Sequence, residues 1–290
     1  MTGRNNSMRM PSQLEEELEG KVKNNSPAPI VNNQRDLLAF SVPTTLVDLP
    51  SKGLFYPEDH PLHERGTLEI KFMTAKEEDI LTSDSLIKKN LAIDRLIQSL
   101  IIDKSIDAGS LLVGDRSAVV LEARKTAYGS DYKVEFSCTG CEEKNSHVFD
   151  LDFFLPKQVD YEDSDSFFVN ERRNIVVRLP ATGLTVELRM LTGDEEKAAS
   201  ERMKKKKKVR KDNLVTNQLK LIVVSVEGVE DYVAIHKFID NMPARDSKFI
   251  RNFYEMVRPE IDMKQEYICE MCGNIADLEV PLSKEFFWPE

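Results

Sequence analysis

The feature that most constrains this chain is an internal repeat, because the same short patterns occur twice in the same order. The sequence LPSKG at residues 49–53 is matched by LPATG at 179–183, 130 residues later. Three further landmarks follow in the same order, at offsets of 118, 130 and 131 residues: segment 68–74 with 186–192, 115–117 with 245–247, and the cysteine pairs 138/141 with 269/272. This common order predicts a chain built from two diverged copies of one unit.

Local patterns predict that each copy belongs to the α+β class. Residues 67–73 and 184–191 alternate as strands with one buried face do. Each of these segments runs into Thr-x-x-Glu, beginning at Thr74 and at Thr192, and this pattern is the capping box of a following helix. Apolar residues at helical spacing predict further helices over 85–102, 115–128, 214–226 and 247–257. Asp115 is the predicted N-cap of the second of these helices.

The predicted organisation is a polar N-terminal arm over 1–44, a first lobe over 45–156 and a second lobe over 157–290. We expect each lobe to consist of a strand, helices and a zinc-knuckle-like β-hairpin. The arm is rich in Asn, Ser, Pro, Glu and Lys, so it buries too little apolar surface to offset its ordering entropy. It is therefore either a flexible tail or an extended arm that becomes ordered on a partner.

The four cysteines are the sharpest chemical signal, and they occur as two Cys-x-x-Cys pairs, each after a strand-like segment. Four thiolates form the closed tetrahedral set of a structural zinc site. The 128 residues between the pairs far exceed the spacing of a contiguous zinc ribbon, of about 15–20 residues. Equivalent loops on two lobes related by a pseudo-twofold axis can nevertheless meet. The sequence therefore predicts one zinc shared by Cys138, Cys141, Cys269 and Cys272.

Other interpretations of the cysteines stay open. Two local disulfides are disfavoured in a reducing cytosol, and a redox pair usually lies at a helix N-terminus, whereas these pairs lie between strands. Four cysteines that bind no metal are a further alternative. His147 follows Cys141 by six residues, but a single histidine near such a site is more often on the surface than a ligand.

Charge and hydropathy argue against some classes of partner and location. The formal net charge of -10 argues against nucleic acid as the main partner, because duplex-binding domains usually carry a basic stripe. No segment approaches the roughly 18 continuous apolar residues of a membrane span. The first residues lack the apolar core of a secretory signal, so we expect folding in the compartment of synthesis.

Two further segments are open to more than one interpretation. The basic run Lys204–Lys208, with Arg210 and Lys211, is either a solvated helix face or loop, or a contact for nucleic acid or an acidic partner. The terminal aromatic residues Phe286, Phe287 and Trp288 either cap a core or dock on a neighbouring protein.

The sequence contains no Gly-rich phosphate loop, no His-Glu-x-x-His and no Gly-x-Ser-x-Gly motif, so we expect no enzymatic activity, no catalytic residue and no small-molecule substrate.

Several first-copy motifs carry a family resemblance. They are LPSKGLFYP at 49–57, MTAKEEDILTS at 73–83, LVGDR at 112–116, Tyr128-Gly129-x-x-Tyr132 and the first Cys-x-x-Cys. In this order they resemble the baseplate hub proteins of contractile-tailed bacteriophages, over about residues 45–285. The long N-terminal arm departs from the shorter members of that family, which leaves its role open.

The resemblance implies a structural or assembly protein of the virion tail baseplate, made in the host cytoplasm and in contact with other baseplate and tail proteins. Two alternatives remain at this point. One is an assembly chaperone that is absent from the mature virion. The other is a zinc-ribbon nucleic-acid-binding protein that uses the lysine run.

Overall fold

The computed structural model describes residues 41–162, 164–206, 213–280 and 286–287, with side chains omitted for 203–206. Most of the predicted arm, most of the lysine run and Trp288 therefore lie outside the described residues. The described residues from Thr44 onward form one compact unit. No helix within the described ranges is long and apolar enough to cross a membrane.

The fold is mixed α+β, as the sequence predicts. The first half contains β1 (Thr44–Asp48), β2 (Thr67–Lys71), α1 (Ala75–Thr82), α2 (Asp84–Lys88), α3 (Ala92–Leu100), α4 (Val113–Tyr128), β3 (Asp131–Ser137) and β4 (Lys144–Asp150). The second half contains β5 (Phe167–Val169), β6 (Ile175–Arg178), β7 (Thr185–Leu188), α5 (Gly193–Lys206), α6 (Leu214–Ile222), β8 (Val223–Val226), α7 (Tyr232–Asn241), α8 (Ala244–Val257), β9 (Lys264–Ile268) and β10 (Ile275–Glu279).

All strand pairing between these elements is antiparallel. Strands β5, β6, β7 and β8 form a four-stranded sheet in that order. Strands β1 and β2 pair in register from Thr44 opposite Lys71 to Asp48 opposite Thr67. The pairs β3–β4 and β9–β10 are two separate hairpins, and each connects its strands through one of the Cys-x-x-Cys segments. The sheets are therefore small, with two or four strands each.

One hydrophobic core runs through both predicted copies. It includes α3 and α4 of the first copy and β6, β7 and α8 of the second. Leu96, Ile97 and Leu100 of α3 are fully buried, which agrees with the apolar stripe seen in the sequence. Phe286 and Phe287 are also buried, so these two terminal aromatic side chains complete the core rather than extend outward.

The helix predicted over 85–102 is two helices, α2 and α3, so that prediction was wrong in its continuity. Asn90 lies between them with a left-handed φ of 57°, a conformation that interrupts a right-handed helix and that Asn tolerates better than most residues. The segment 214–226 also divides, because α6 ends at Ile222 and Val223–Val226 form the edge strand β8. Apolar β-branched residues explain this switch, since they pack well in a strand.

The predicted N-cap at Asp115 was also wrong. Helix α4 begins at Val113, with Leu112 in the N-cap position, so Asp115 lies inside the first turn. Its buried carboxylate instead accepts hydrogen bonds from the amide and hydroxyl of Ser51, at 3.0 and 2.6 Å, and from the hydroxyl of Tyr56, at 2.8 Å. The side chain therefore connects α4 to the loop that follows β1.

The second predicted copy contains a matching arrangement. Asp246 in the first turn of α8 accepts hydrogen bonds from the amide of Ala181, at 2.7 Å, and from the amide and hydroxyl of Thr182, at 3.0 and 2.8 Å. Asp115 and Asp246 are both fully buried. In each predicted copy a carboxylate thus fixes the turn after a Leu-Pro pair against the long helix that precedes a hairpin.

The two capping boxes also match. Glu77 accepts a hydrogen bond from the Thr74 amide at 3.0 Å, and Glu195 accepts one from the Thr192 amide at 3.1 Å. Each glutamate is also bound to a cation six residues earlier: Lys71 with Glu77 at 2.6 Å and Arg189 with Glu195 at 2.5 Å. Glu77 is fully buried, so it makes the first of these boxes part of the protein interior.

Candidate metal centre

Each Cys-x-x-Cys segment forms the turn of a hairpin, and the two turns have the same pattern of backbone hydrogen bonds. The amide of Cys138 donates to the carbonyl of Glu143, and the amide of Cys269 donates to the carbonyl of Asn274, both at 2.9 Å. A left-handed residue follows each second cysteine, Glu142 with φ 61° and Gly273 with φ 68°. The turns therefore present both of their sulfur atoms in the same way.

The structure brings all four cysteines together. Their Sγ atoms lie within 4.8 Å of one another, and no disulfide joins them. Cys138 Sγ lies 3.8 Å from Cys272 Sγ, and Cys141 Sγ lies 3.8 Å from Cys269 Sγ. Exchanging the two hairpins converts one of these contacts into the other, because the first cysteine of each turn faces the second cysteine of the other.

The sulfur spacing fits a tetrahedral metal. With zinc–sulfur bonds of about 2.3 Å, the edges of a tetrahedral site measure about 3.8 Å. Both contacts between the hairpins have this length. Cys138 and Cys269 are buried, and four thiolates leave no coordination position for water or substrate. The donor set is therefore that of a structural zinc site and not of a catalytic one.

Backbone amides support negative charge on the sulfur atom of Cys138. The amide of Gly140 lies 3.3 Å from Cys138 Sγ. Hydrogen bonds from the backbone amides of Gly140 and Cys141 lower the pKa of the Cys138 thiol to about 6. A thiolate is the form of cysteine that binds metal, so Cys138 is suited to cation binding near neutral pH. The backbone hydrogen bond from Glu143 lowers the pKa of Cys141, but hydrogen bonds among the thiols outweigh it and raise that pKa to about 12. A cation would have to displace the proton of Cys141.

Side chains outside the cysteines hold the two hairpins against each other. The rings of Phe136 and Tyr267 meet edge to face with centroids 4.8 Å apart. The Tyr267 hydroxyl donates to Asn145 Oδ1 at 2.9 Å. His147 lies 3.2 Å from the side-chain oxygen of Gln265 across the same interface, so it contributes to hairpin packing and lies outside the cluster of candidate ligands.

Asn274 is a residue of the site that the sequence analysis missed. Its Nδ2 donates to Thr139 Oγ1 at 3.2 Å and approaches Cys138 Sγ at 3.9 Å, both in the other hairpin. A Cβ atom at Gly140 would lie 2.9 Å from Cβ of Asn274, so glycine is needed there. The sequence feature that could have identified Asn274 is its position in the repeat, because it is equivalent to Glu143 of the first turn.

His60, in the loop after β1, lies beside Ser110 but is not oriented to act as its base. His60 Nδ1 accepts a hydrogen bond from the Leu62 amide at 3.1 Å, which places the proton of the neutral ring on Nε2. His60 Nε2 then donates to Ser110 Oγ at 2.9 Å, while Ser110 Oγ donates to the Asp107 carbonyl at 2.8 Å. This arrangement does not let His60 remove the proton of Ser110, so it has a structural role.

The matched family of the chain comes from a comparison with protein-family models. A family model described as "T4 bacteriophage base plate protein" matches residues 43–288. No curated protein and no solved structure matches the chain. The matched range includes both hairpins and all four cysteines, and it omits most of the polar arm.

Proposed function

Because the chain belongs to the family of T4 bacteriophage base plate proteins, we propose that it is a structural or assembly protein that joins neighbouring subunits of a phage tail baseplate. The observation that carries this proposal is the family match over residues 43–288. The geometry is consistent with it, because the described residues form a packed core with a closed set of sulfur ligands. Its partners are then other baseplate and tail proteins, and its place is the virion tail after assembly in the host cytoplasm.

Mass spectrometry of purified particles tests the structural role against the chaperone alternative. A structural subunit is present in finished tails at a fixed ratio to other baseplate proteins, whereas an assembly chaperone is present in infected cells but absent from the particles. Imaging of the particle then identifies which subunits the chain contacts. A chain found in neither the tails nor the assembly intermediates would contradict both roles.

The polar arm is the part of the chain that we propose to order on a neighbour. The arm predicted over 1–44 overlaps β1 by one residue, Thr44. Deleting residues 1–43 should weaken assembly while leaving the remainder folded, because the compact unit begins at Thr44. Circular dichroism checks the fold of the truncated chain, and complementation of a phage lacking the gene measures assembly. Unchanged assembly would argue against a binding role for the arm.

We also propose that the chain is a tandem duplication whose two hairpins share one structural zinc. The matching bonds of Asp115 and Asp246 and the matching capping boxes of Glu77 and Glu195 support the duplication. The gathering of all four sulfur atoms within 4.8 Å of one another, with two contacts of 3.8 Å between the hairpins, supports the zinc. In this arrangement one metal ion holds the two halves in register, because each half supplies two of its four ligands. These ligands are Cys138 and Cys141 from the first half and Cys269 and Cys272 from the second.

Cobalt substitution tests the ligand set. Cobalt(II) in four-thiolate coordination gives intense sulfur-to-metal charge-transfer and tetrahedral ligand-field absorption, and zinc displaces it. The wild-type chain should show these bands with an endpoint of one cobalt per chain. Octahedral spectra, or an endpoint of two, would contradict a single shared site.

The nucleic-acid alternative rests on the lysine run, most of which lies outside the described residues. It predicts that DNA or RNA binding falls steeply with salt, because cation contacts to phosphate release counterions. The formal net charge of -10 argues against this alternative. Binding of nucleic acid with a steep salt dependence would restore this alternative.

A further inference from the structure

Helix α4 has a face that another part of the same chain covers. A Cβ atom at Gly114 would lie 1.9 Å from the carbonyl oxygen of Pro259, so the two backbones are in direct contact. One turn further along, Ser117 lines a cavity together with residues 260–264. Ala118 and Leu121 complete this face and are only 3% and 5% exposed.

The segment that covers α4 is extended and alternates in character. Pro259, Ile261 and Met263 are buried, whereas the intervening Glu260 and Asp262 reach solvent more readily. Ile261 forms a β-bridge with Pro156, which fixes the extended conformation. Apolar side chains thus face the protein, while the Asp262 side chain is exposed and the Glu260 carboxylate pairs with Lys157 and Arg258.

The equivalent face of α8 lacks such a cover among the described residues. The matching bonds of the two aspartates align Asp115 with Asp246, so the offset here is 131 and not the 130 that the sequence alone suggested. With this offset the α4 face corresponds to Arg245, Lys248, Phe249 and Asn252. These residues line an open groove of about 450 Å³, together with Pro180, Phe253 and Met256. Met256 is 58% exposed, although it is a large apolar residue.

The groove also differs from the covered face in charge. Arg245 and Lys248 stand at positions that Gly114 and Ser117 occupy in α4. Both cations are exposed, and neither forms an ion pair with any other described residue. In a chain with a net charge of -10, two unpaired cations beside an apolar floor are complementary to a ligand with carboxylates and apolar side chains.

We propose that the α8 groove binds an extended segment of another protein, in which apolar side chains alternate with carboxylates as they do in Pro259–Met263. The apolar side chains of that segment would contact Phe249, Phe253 and Met256, and its carboxylates would pair with Arg245 and Lys248. The inference rests on the proposed duplication, because it uses the equivalence of α4 and α8. It goes further by assigning a partner surface and the chemistry of the partner.

A peptide with the sequence RPEIDMK, taken from residues 258–264, is a suitable probe. Its binding to the full zinc-loaded chain is measured by fluorescence anisotropy with an N-terminal label. The test variant combines Arg245→Glu with Lys248→Glu. The matched control combines Lys133→Glu with Lys237→Glu, which makes the same change in net charge at two exposed sites outside the groove.

We expect saturable binding to the wild type and to the control, and a loss of about tenfold in the groove variant, since two exposed ion pairs are replaced by repulsion. A peptide with Gln and Asn in place of its Glu and Asp should lose affinity to a similar degree. Met256→Ser, which keeps both cations, should also weaken binding through loss of apolar contact.

Several results would overturn the proposal. One is the absence of saturable peptide binding to the wild type. Another is an equal loss of peptide affinity in the groove and control variants. A third is self-association of the wild type that the groove variant abolishes, because a second copy of the chain would then be the occupant. Sedimentation velocity measures the last of these. The outcome is separable from that of the baseplate role, because particle composition and zinc content are measured independently of peptide binding.

Discussion

Asp246 accepts hydrogen bonds from both the amide and the hydroxyl of Thr182, which lies 64 residues earlier in the chain. Asp115 accepts the same two bonds from Ser51, also 64 residues earlier. A buried carboxylate that accepts several bonds specifies one arrangement of the groups around it, because each unpaired buried donor has a cost. The two aspartates therefore anchor α8 and α4 to equivalent turns.

Removing either anchor should destabilise the fold substantially. Asp246→Ala leaves the amides of Ala181 and Thr182 without their acceptor, and Asp115→Ala does the same to Ser51 and Tyr56. We expect each variant to lower the free energy of unfolding by about 2–4 kcal/mol. Urea denaturation measures the change. Asp165→Ala, at an exposed position, is the control and should change stability by less than about 0.5 kcal/mol.

Glu77 should make stability depend on pH in the acidic range. Burial raises the pKa of Glu77, but hydrogen bonds from Lys71, Ser99 and Thr74 outweigh it and lower the pKa to about 2. The folded state therefore binds this proton more weakly than the unfolded chain does. The stabilising contribution is present above about pH 4.5 and disappears as the pH falls toward about 2.

The corresponding experiment compares the wild type with Glu77→Gln at several pH values. The difference in their free energies of unfolding should be largest near pH 7, at about 2–3 kcal/mol, and should shrink below pH 4.5. Any loss of metal at low pH affects both proteins and largely cancels. Glu135→Gln removes an exposed carboxylate as the control. A difference that is constant between pH 7 and pH 3 would show that ionisation of Glu77 does not stabilise the fold.

The contact between Gly114 and Pro259 should not tolerate a side chain. Alanine normally stabilises a helix relative to glycine, yet a methyl group at position 114 would overlap the Pro259 carbonyl oxygen. We expect Gly114→Ala to lower stability by about 1–3 kcal/mol, because backbone must move. At Gly66 no atom lies within 4 Å of an added Cβ, so Gly66→Ala should be nearly neutral. Equal thermal midpoints for the two variants would contradict the packing of residue 259 on α4.

Asn274 should tune the affinity of the proposed metal site. Its amide approaches Cys138 Sγ and bonds Thr139 across the hairpin interface. Loss of an outer-shell hydrogen bond typically weakens metal binding by about 10–100-fold, and we expect Asn274→Ala to lie near the lower value because the sulfur contact is long. Competition with a chelator measures the affinity. Glu143→Ala, at the equivalent position of the first turn, is exposed and should retain the wild-type affinity.

Local sequence signals predicted much of the fold. The capping boxes at Thr74 and Thr192 were correct because their partners lie three residues away, so they do not depend on tertiary structure. The division of 85–102 at Asn90 was missed because the apolar stripe continues across it. Asp115 was misassigned for a related reason: an N-cap and a buried acceptor look alike in sequence, and only the position of Ser51 in space separates them.

The candidate site was predictable as a set of residues, but not as a geometry. The four cysteines in two pairs identified the candidate ligands, and the repeat suggested that the two pairs lie close together. The pairing of Cys138 with Cys272 and of Cys141 with Cys269 depends on how the hairpins face each other. That orientation is set by contacts such as Phe136 with Tyr267, which lie 131 residues apart and carry no sequence signature.

Metal content measured on the purified chain tests most directly whether the two hairpins share one zinc. Inductively coupled plasma mass spectrometry should find one zinc per wild-type chain. It should find almost none in Cys138→Ser/Cys141→Ser or in Cys269→Ser/Cys272→Ser, because each variant keeps only half of the ligand set. The variant with Cys138→Ser and Cys272→Ser should lose zinc in the same way. A wild type without zinc, or zinc retained in any of these double variants, would contradict a site shared between the hairpins.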